Sequence, residues 1–285
     1  MRFVDVFYLI GPEAYPEGLS FRWMDLAAAI AQLVKTRYQI STAQKQSLKA
    51  AVTKVLEEVA VPLGIGIGVG AMASGAKGVF KHDTSAAFIK IVDDGSMSLF
   101  VGLPDMGQSS HTAMAMIAAE VLGLEAKSIR LVAADTKFTT NAGATSASRQ
   151  TYISGNAVVE AAAKLAEVLK TEAVNKLKVA KSALVLLDGH AAVREAPEQR
   201  VAFAELARRA HSKGIALSWQ GYFDPETVPL DPQNGQGVPY ATYAFAAQLA
   251  LVSVDVLTGE VAVEKIVAAH DVGRAVHPEN VVGQI

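Results

Sequence analysis

The chain has 285 residues, 51% of them hydrophobic and 19% charged, with a net charge of −2 and no cysteine. That balance suits a soluble α/β body with a sizeable core, and the lack of a basic cluster gives nucleic acid or an anionic membrane no electrostatic footing. Without cysteine the chain makes no disulfide and no thiolate zinc site, and it ligates no iron–sulfur cluster; the composition is compatible with a cytoplasmic protein.

No apolar run approaches the ~20 residues that cross a bilayer, and no secretory leader is expected. Val4–Ile10 reads as an opening strand before Gly11-Pro12 and Tyr15-Pro16-Glu17-Gly18. Trp23, Leu26, Ile30 and Leu33 recur at helical spacing and predict a helix over Arg22–Lys35. Leu48, Val52, Val55 and Leu56 predict another over Thr42–Val59, with Ser41 and Thr42 available as caps. Residues 1–62 are therefore expected to form a helical N-terminal segment with its opening strand, and 63–285 a main body that divides into one or two subdomains.

Leu63-Gly64-Ile65-Gly66-Ile67-Gly68-Val69-Gly70 superficially suggests a dinucleotide fingerprint. The glycines continue at period two with no helix after them, so the run reads instead as a strand with a bare face for close packing. Ala86–Val92 and Met97–Val101 flank Asp93-Asp94-Gly95-Ser96, a hairpin signal. A second hairpin is expected from Leu249–Val256 and Val261–Ala269 around Leu257-Thr258-Gly259-Glu260.

From Phe100 to Val158 the chain makes one local move twice: an apolar strand, a polar loop, then an Ala-rich helix. Leu99–Leu103 leads through Asp105-Met106-Gly107-Gln108-Ser109-Ser110 to a helix predicted over Thr112–Leu122. Ile129–Ala133 leads through Asp135-Thr136 and Asn141–Ser148 to a helix predicted over Thr151–Lys170. Two loops that open helices supply backbone N–H donors where anions are favoured, a cradle for a phosphate or a rigid polar heterocycle. The Gln108 amide suits the edge of a pterin or purine; Asp105–Ser110 equally reads as a plain helix cap. Ser146 and Ser148 carry the same ambiguity, and Arg149 equally reads as the partner of a surface acid.

Further on, Phe203, Leu206, Ala207 and Ala210 mark one face of a helix over Ala202–Ser212, and Tyr222–Pro239, with four of the ten prolines, predicts a long exposed loop. The six histidines form no metal-ligand pair, and neighbours such as His270-Asp271 point to opposite faces of a strand. No metal ligand is expected.

Taken together, Gly107-Gln108, Thr112, Ala118-Ala119-Glu120-Val121-Leu122-Gly123, Asp135-Thr136, Ser146-Ala147-Ser148-Arg149-Gln150-Thr151 and Gly155-Asn156-Ala157-Val158 resemble, in order and spacing, the molybdopterin-binding part of the xanthine dehydrogenase/aldehyde oxidase family. His270-Asp271-Val272-Gly273, His277-Pro278 and Val282-Gly283-Gln284-Ile285 look like that family's later D-V-G…N-P…G-Q loop, and Leu63–Val69 falls where it has an R-G-x-G-I-A strand. The resemblance covers about Pro62–Ile285.

It implies an α+β molybdopterin-binding fold, with β hairpins and mixed sheets packed against helices. It also implies that Gln108, Ser148 and Gln284 hydrogen-bond the molybdopterin (the cytosine dinucleotide form if the source is bacterial), with Ala147 near the metal side. The loops Gly107–Ser109 and Ser146–Gln150 would add donors, so the implied cofactor residues are Gly107, Gln108, Ser109, Ser146, Ala147, Ser148, Gln150 and Gln284. The family hydroxylates an electron-poor carbon of an N-heterocycle or aldehyde, with water as oxygen source, and passes electrons through iron–sulfur clusters to FAD or another acceptor. This chain would then work beside another molybdopterin-binding segment or subunit, an iron–sulfur subunit and an FAD subunit.

Ser109 stands for the second Gly of a G-Q-G turn, His277 for an Asn and Leu63 for a basic residue. The family's glutamate base motif lies downstream of the G-Q loop and is not met here, so no catalytic residue is assigned and the chain is expected to be a split subunit or a truncated one, inactive alone. A non-catalytic structural or cofactor-handling role on the same fold, or a small-molecule binder using the cradle for a nucleotide, remain the alternatives.

Overall fold

The computed structural model describes residues 6–10, 64–75, 83–254 and 258–285. The helices predicted over Arg22–Lys35 and Thr42–Val59 and the boundary after residue 62 lie outside them. Two compact units emerge, one from Met1–Met72 with Ala244–Ile285, the other from Ala73–Tyr243.

The first unit holds a four-stranded sheet in the order β1 (Val6–Ile10), β11 (Val261–Asp271), β10 (Thr242–Val254), β2 (Gly64–Ser74). β10 and β11 form the expected C-terminal hairpin, antiparallel with Phe245 opposite Asp271 and Val254 opposite Val261, and a bulge at Leu251/Val252. β2 is the alternating Gly run. Close packing on its bare positions is confined to Gly64, where a Cβ would lie 3.0 Å from the Val252 side chain; Gly66, Gly68 and Gly70 meet nothing within 4 Å among the described residues. The unit ends in α4 (Pro278–Gln284), with Pro278 at its first turn.

In the second unit, β3 (Ser85–Ile91) and β4 (Met97–Val101) are the antiparallel hairpin around Asp93–Ser96. α1 (Ser110–Leu122) then crosses to β5 (Ile129–Ala133), which lies parallel to β4 with Leu99 beside Leu131. β9 (Ser218–Phe223) completes a sheet in the order β5-β4-β3-β9.

A helix of 23 residues, α2 (Gly155–Leu177), lies against this sheet through Ala157, Val158, Ala161, Ala162, Leu165 and Leu169, all at 0% exposure. Small residues let it approach closely: a Cβ at Gly221 of β9 would stand 2.0 Å from the Ala157 carbonyl oxygen. α2 runs seven residues past the predicted Lys170, because Ala173, Val174 and Leu177 continue its apolar face. It stops where Lys178 turns left-handed, φ 59°. α3 (Phe203–Ser212) buries Phe203, Leu206, Ala207 and Ala210, the face read from the sequence.

The outer edge of β9 is closed by α2. Glu160 accepts the Tyr222 N–H at 2.7 Å and Lys164 donates to the Gln220 carbonyl at 2.8 Å, so main-chain groups that a bare edge would expose are paired. A small sheet, β6 (Leu184–Leu187), β7 (His190–Val193) and β8 (Ala196–Ala202), was not anticipated. Within Tyr222–Pro239, beyond β9, Val228 and Val238 make one antiparallel bridge.

Candidate cofactor site

Because β4 and β5 run parallel, the loops that leave them emerge side by side at the carboxyl edge of the sheet, where α/β proteins place ligands. Ala134 N–H donates to the Val101 carbonyl at 3.0 Å, and the second loop then crosses the first. At the crossing a Cβ on Gly102 would be 1.6 Å from the Thr140 carbonyl oxygen, so only glycine fits. Thr140 Oγ1 donates to Ala86 O at 2.8 Å and ties the crossing to β3. Asp135 shapes the first turn of the loop by accepting the Lys137 N–H at 2.9 Å.

The first loop is organised by Asp105 and Gln108. Asp105 Oδ1 accepts the Gly107 N–H at 2.8 Å and its Oδ2 the His111 N–H at 3.2 Å, so the carboxylate caps α1 from outside the helix. The Gly107 N–H, and after it the His111 N–H, holds the Asp105 carboxyl below its ordinary range. Gln108 Oε1 accepts the Met106 N–H at 2.6 Å, while Nε2 donates to Ser110 Oγ at 3.1 Å. Gly107 takes φ 104°, and a side chain there would meet nothing within 4 Å among the described residues, so the loop presents bare backbone outward. Ser109 is left-handed at φ 60°, and its hydroxyl makes no capping bond.

The second loop ends in a π turn, Gln150–Ser154, that runs directly into α2. Such turns are frequent at functional sites. Ser146, Ala147 and Ser148 are exposed, and Ala147 is left-handed at φ 47°. Gln150 is buried at 4% exposure; its Nε2 faces Gly143 O at 3.3 Å and Ala144 O at 3.2 Å, and its Oε1 accepts from Ser154 Oγ at 2.7 Å. Arg149, for which one reading is a pairing with a surface acid, is a mostly buried group paired with an acid that is itself buried, Asp83.

The structure thus gathers Gly107, Gln108, Ser109, Ser146, Ala147, Ser148 and Gln150 on two adjoining loops. Gln284 closes α4 in the other unit and is exposed there. His277, where the resemblance has an Asn, caps that helix with Nδ1 accepting the Asn280 N–H at 3.3 Å, as an Asn side chain would. Sequence reading offers Asp105–Ser110 as a helix cap, a role Asp105 performs, and misses Gly102 and the Asp83–Arg149 pair. Asp105 carried a signal, an acidic residue two before a glycine at a strand end. Gly102 and the Asp83–Arg149 pair carried none, since their partners lie far along the chain.

Neutral donors suit a molybdopterin. Ser146 and Ser148 are exposed, and the one carboxylate of the first loop, Asp105, is engaged by the N–H groups of Gly107 and of His111 in α1. The Ser146 and Ser148 hydroxyls would offer donors to a pterin edge or its phosphate, whereas the Gly107 N–H is already held by Asp105. Among the described residues no group of three or more His, Asp or Glu could itself hold a metal ion, and no helix is long and apolar enough to cross a membrane.

The profile of the molybdopterin cofactor-binding domain matches residues 36–285. The nicotine 6-hydroxylase large subunit of Paenarthrobacter nicotinovorans is 33% identical over 213 residues, 75% of this chain and 25% of that subunit. Rice xanthine dehydrogenase is 27% identical over 201 residues, 70% of this chain and 13% of the enzyme. A Cu,Mo-CO dehydrogenase superposes with a TM-score of 0.63 at 25% identity, over 91% of this chain and 32% of that one. Quinoline 2-oxidoreductase from Pseudomonas putida 86 shares the fold, with a TM-score of 0.65 at 24% identity over 95% of this chain and 33% of that one. The chain spans about a quarter or less of the curated relatives named here. With the profile running from residue 36 to residue 285, the chain belongs to the molybdopterin cofactor-binding domain family.

Proposed function

We propose that this chain supplies part of the molybdopterin-holding surface of a molybdenum hydroxylase acting on an N-heterocycle or an aldehyde. The observation that carries the reading is the close contact of the two loops at Gly102 and Thr140, beyond which each loop has an exposed stretch, at Gly107 and at Ser146–Ser148. Gln108, Ser109, Ser146 and Ser148 would hold the pterin. When bound, the molybdenum centre supplies the two-electron chemistry that hydroxylates the substrate carbon with oxygen from water. The chain's own share is to bind and orient that group. Electrons would pass to iron–sulfur and flavin partners, since no cysteine here can ligate a cluster.

Two of the three departures in the motifs, His277 and Ser109, leave this reading standing. His277 performs the capping an Asn would perform, and Ser109 adopts the left-handed backbone of a glycine at a cost of about 1–2 kcal/mol. A purely structural member of the fold would gain nothing from keeping that strained, exposed turn.

The test is metal and pterin content of the protein purified with its partners from its native source. Molybdenum near one per chain with pterin fluorescence after oxidation is expected; an intact complex without either ends the proposal.

A further inference from the structure

We propose that Arg149, anchored by Asp83, is a positioning residue that sets the 142–148 loop in its cofactor-accepting form; this rests on the molybdopterin reading above. The Arg149 side chain is 11% exposed and that of Asp83 5%, so the pair is far from a surface ion pair. The guanidinium Nε donates to Asp83 Oδ1, and one terminal nitrogen donates to the Ala142 carbonyl. That nitrogen also reaches Ala144 O at 3.2 Å, and the other donates to Thr84 O at 3.0 Å. One planar fork therefore joins the loop to the start of β3.

Gln150 works beside it. Its Nε2 takes Gly143 O at 3.3 Å, Ala144 O at 3.2 Å and Thr145 Oγ1 at 3.3 Å. Its carbonyl end is fixed through Ser154 Oγ at 2.7 Å, which in turn lies 2.9 Å from Ser85 Oγ. Two neighbouring side chains thus draw the carbonyls of Ala142, Gly143 and Ala144 inward. Each of those oxygens carries partial negative charge, and facing outward it would repel a phosphate or a pterin carbonyl. Drawn inward, they leave Ser146, Ala147 and Ser148 as the exposed rim.

Glycine at 143 belongs to the same device. Its φ is 69°, and a Cβ there would stand 2.7 Å from an Arg149 terminal nitrogen. Lysine at 149 could keep the charge opposite Asp83 but could not reproduce the fork.

The experiment uses the whole protein in its native assembly, comparing wild type with Arg149→Lys and Arg149→Met by site-resolved amide exchange and pterin content. Exchange at positions 143 and 149, whose N–H groups are held by Asn141 Oδ1 and Ser146 O, is expected to speed up by about tenfold or more in Arg149→Lys as the loop loosens, with α2 unchanged. Pterin content should fall several-fold alongside. If Arg149→Met fails to assemble, Arg149→Lys decides. Unchanged loop exchange in Arg149→Lys with pterin present in the wild type overturns the positioning role alone, as does acceleration of α2 in step with the loop. Absence of pterin from the wild type overturns the underlying reading, and the proposal with it.

Discussion

Gly102 and Thr140 meet backbone to backbone: a Cβ on Gly102 would overlap the Thr140 carbonyl oxygen at 1.6 Å. Gly102→Ala must therefore either break the crossing or move β4. Buried Leu103 and Ala142 flank it, which resists both. The expected loss is on the order of 3 kcal/mol, in the range that marks a steric clash with backbone. Urea unfolding of the assembled protein measures it, and a loss below about 1 kcal/mol would contradict the close crossing.

Gln108 separates folding from binding. Its Oε1 accepts the Met106 N–H and its Nε2 donates to Ser110 Oγ and, at 3.4 Å, to Pro104 O, so Gln108→Ala removes three exposed or half-buried bonds and should cost about 1 kcal/mol. Gln108→Glu keeps the acceptor for Met106 but sets a carboxylate beside the Pro104 carbonyl, now 3.4 Å from Nε2, and on the rim offered to an anionic group. Stability should change by less than about 1 kcal/mol while pterin content falls several-fold. Retention of full pterin content in Gln108→Glu would remove Gln108 from the cofactor surface.

Local patterns carried the elements whose period and punctuation agree. The buried face of α3 follows from Phe203, Leu206, Ala207 and Ala210, and both hairpins from their Gly-containing turns. The β6–β8 sheet was passed over because its first two strands have four residues each, although Asp188-Gly189, left-handed at φ 47° and 74°, is a hairpin turn signal. At the site the motif residues were legible, and what holds them was not. Arg149 looks like a surface cation in a window of ten residues, and its partners Asp83 and Thr84 lie 66 and 65 positions away. Gln150 reads as a cofactor donor, and nothing near it in sequence shows that its own loop encloses its amide. Long-range pairing of polar side chains has no periodicity to betray it.

Glu172 of α2 is the most buried acid described, its side chain 2% exposed and held by Lys213 Nζ at 2.6 Å, with Arg209 Nε at 3.6 Å. The partners are unequal: the Lys213 side chain is 42% exposed. Losing Glu172 leaves a cation that can turn to water, whereas losing Lys213 strands a carboxylate with only a distant guanidinium. Lys213→Met should therefore cost about 2–3 kcal/mol and Glu172→Leu about 1 kcal/mol or less. Equal losses in urea unfolding would show that the carboxylate reaches water more easily than its burial suggests.

Asp105 makes the first loop sensitive to acid. Its carboxyl is held below its ordinary 3.8, first by the Gly107 N–H and then by the His111 N–H. A depressed folded-state value means that the ionised group stabilises the fold at every pH above the unfolded value, about 3.9, and that the contribution is lost as pH falls through the folded value. Near pH 7, Asp105→Ala should cost about 1 kcal/mol, the usual worth of a capping side chain. As pH falls below about 4 the gap between wild type and Asp105→Ala should narrow, because protonation weakens in the wild type the acceptor the variant already lacks. Thermal unfolding of both proteins across that range reads the gap directly. A gap that stays constant with pH would mean that the N–H groups of Gly107 and His111 are not held by an ionised carboxylate, and the anchor of the G-Q turn would have to be sought in Gln108 alone.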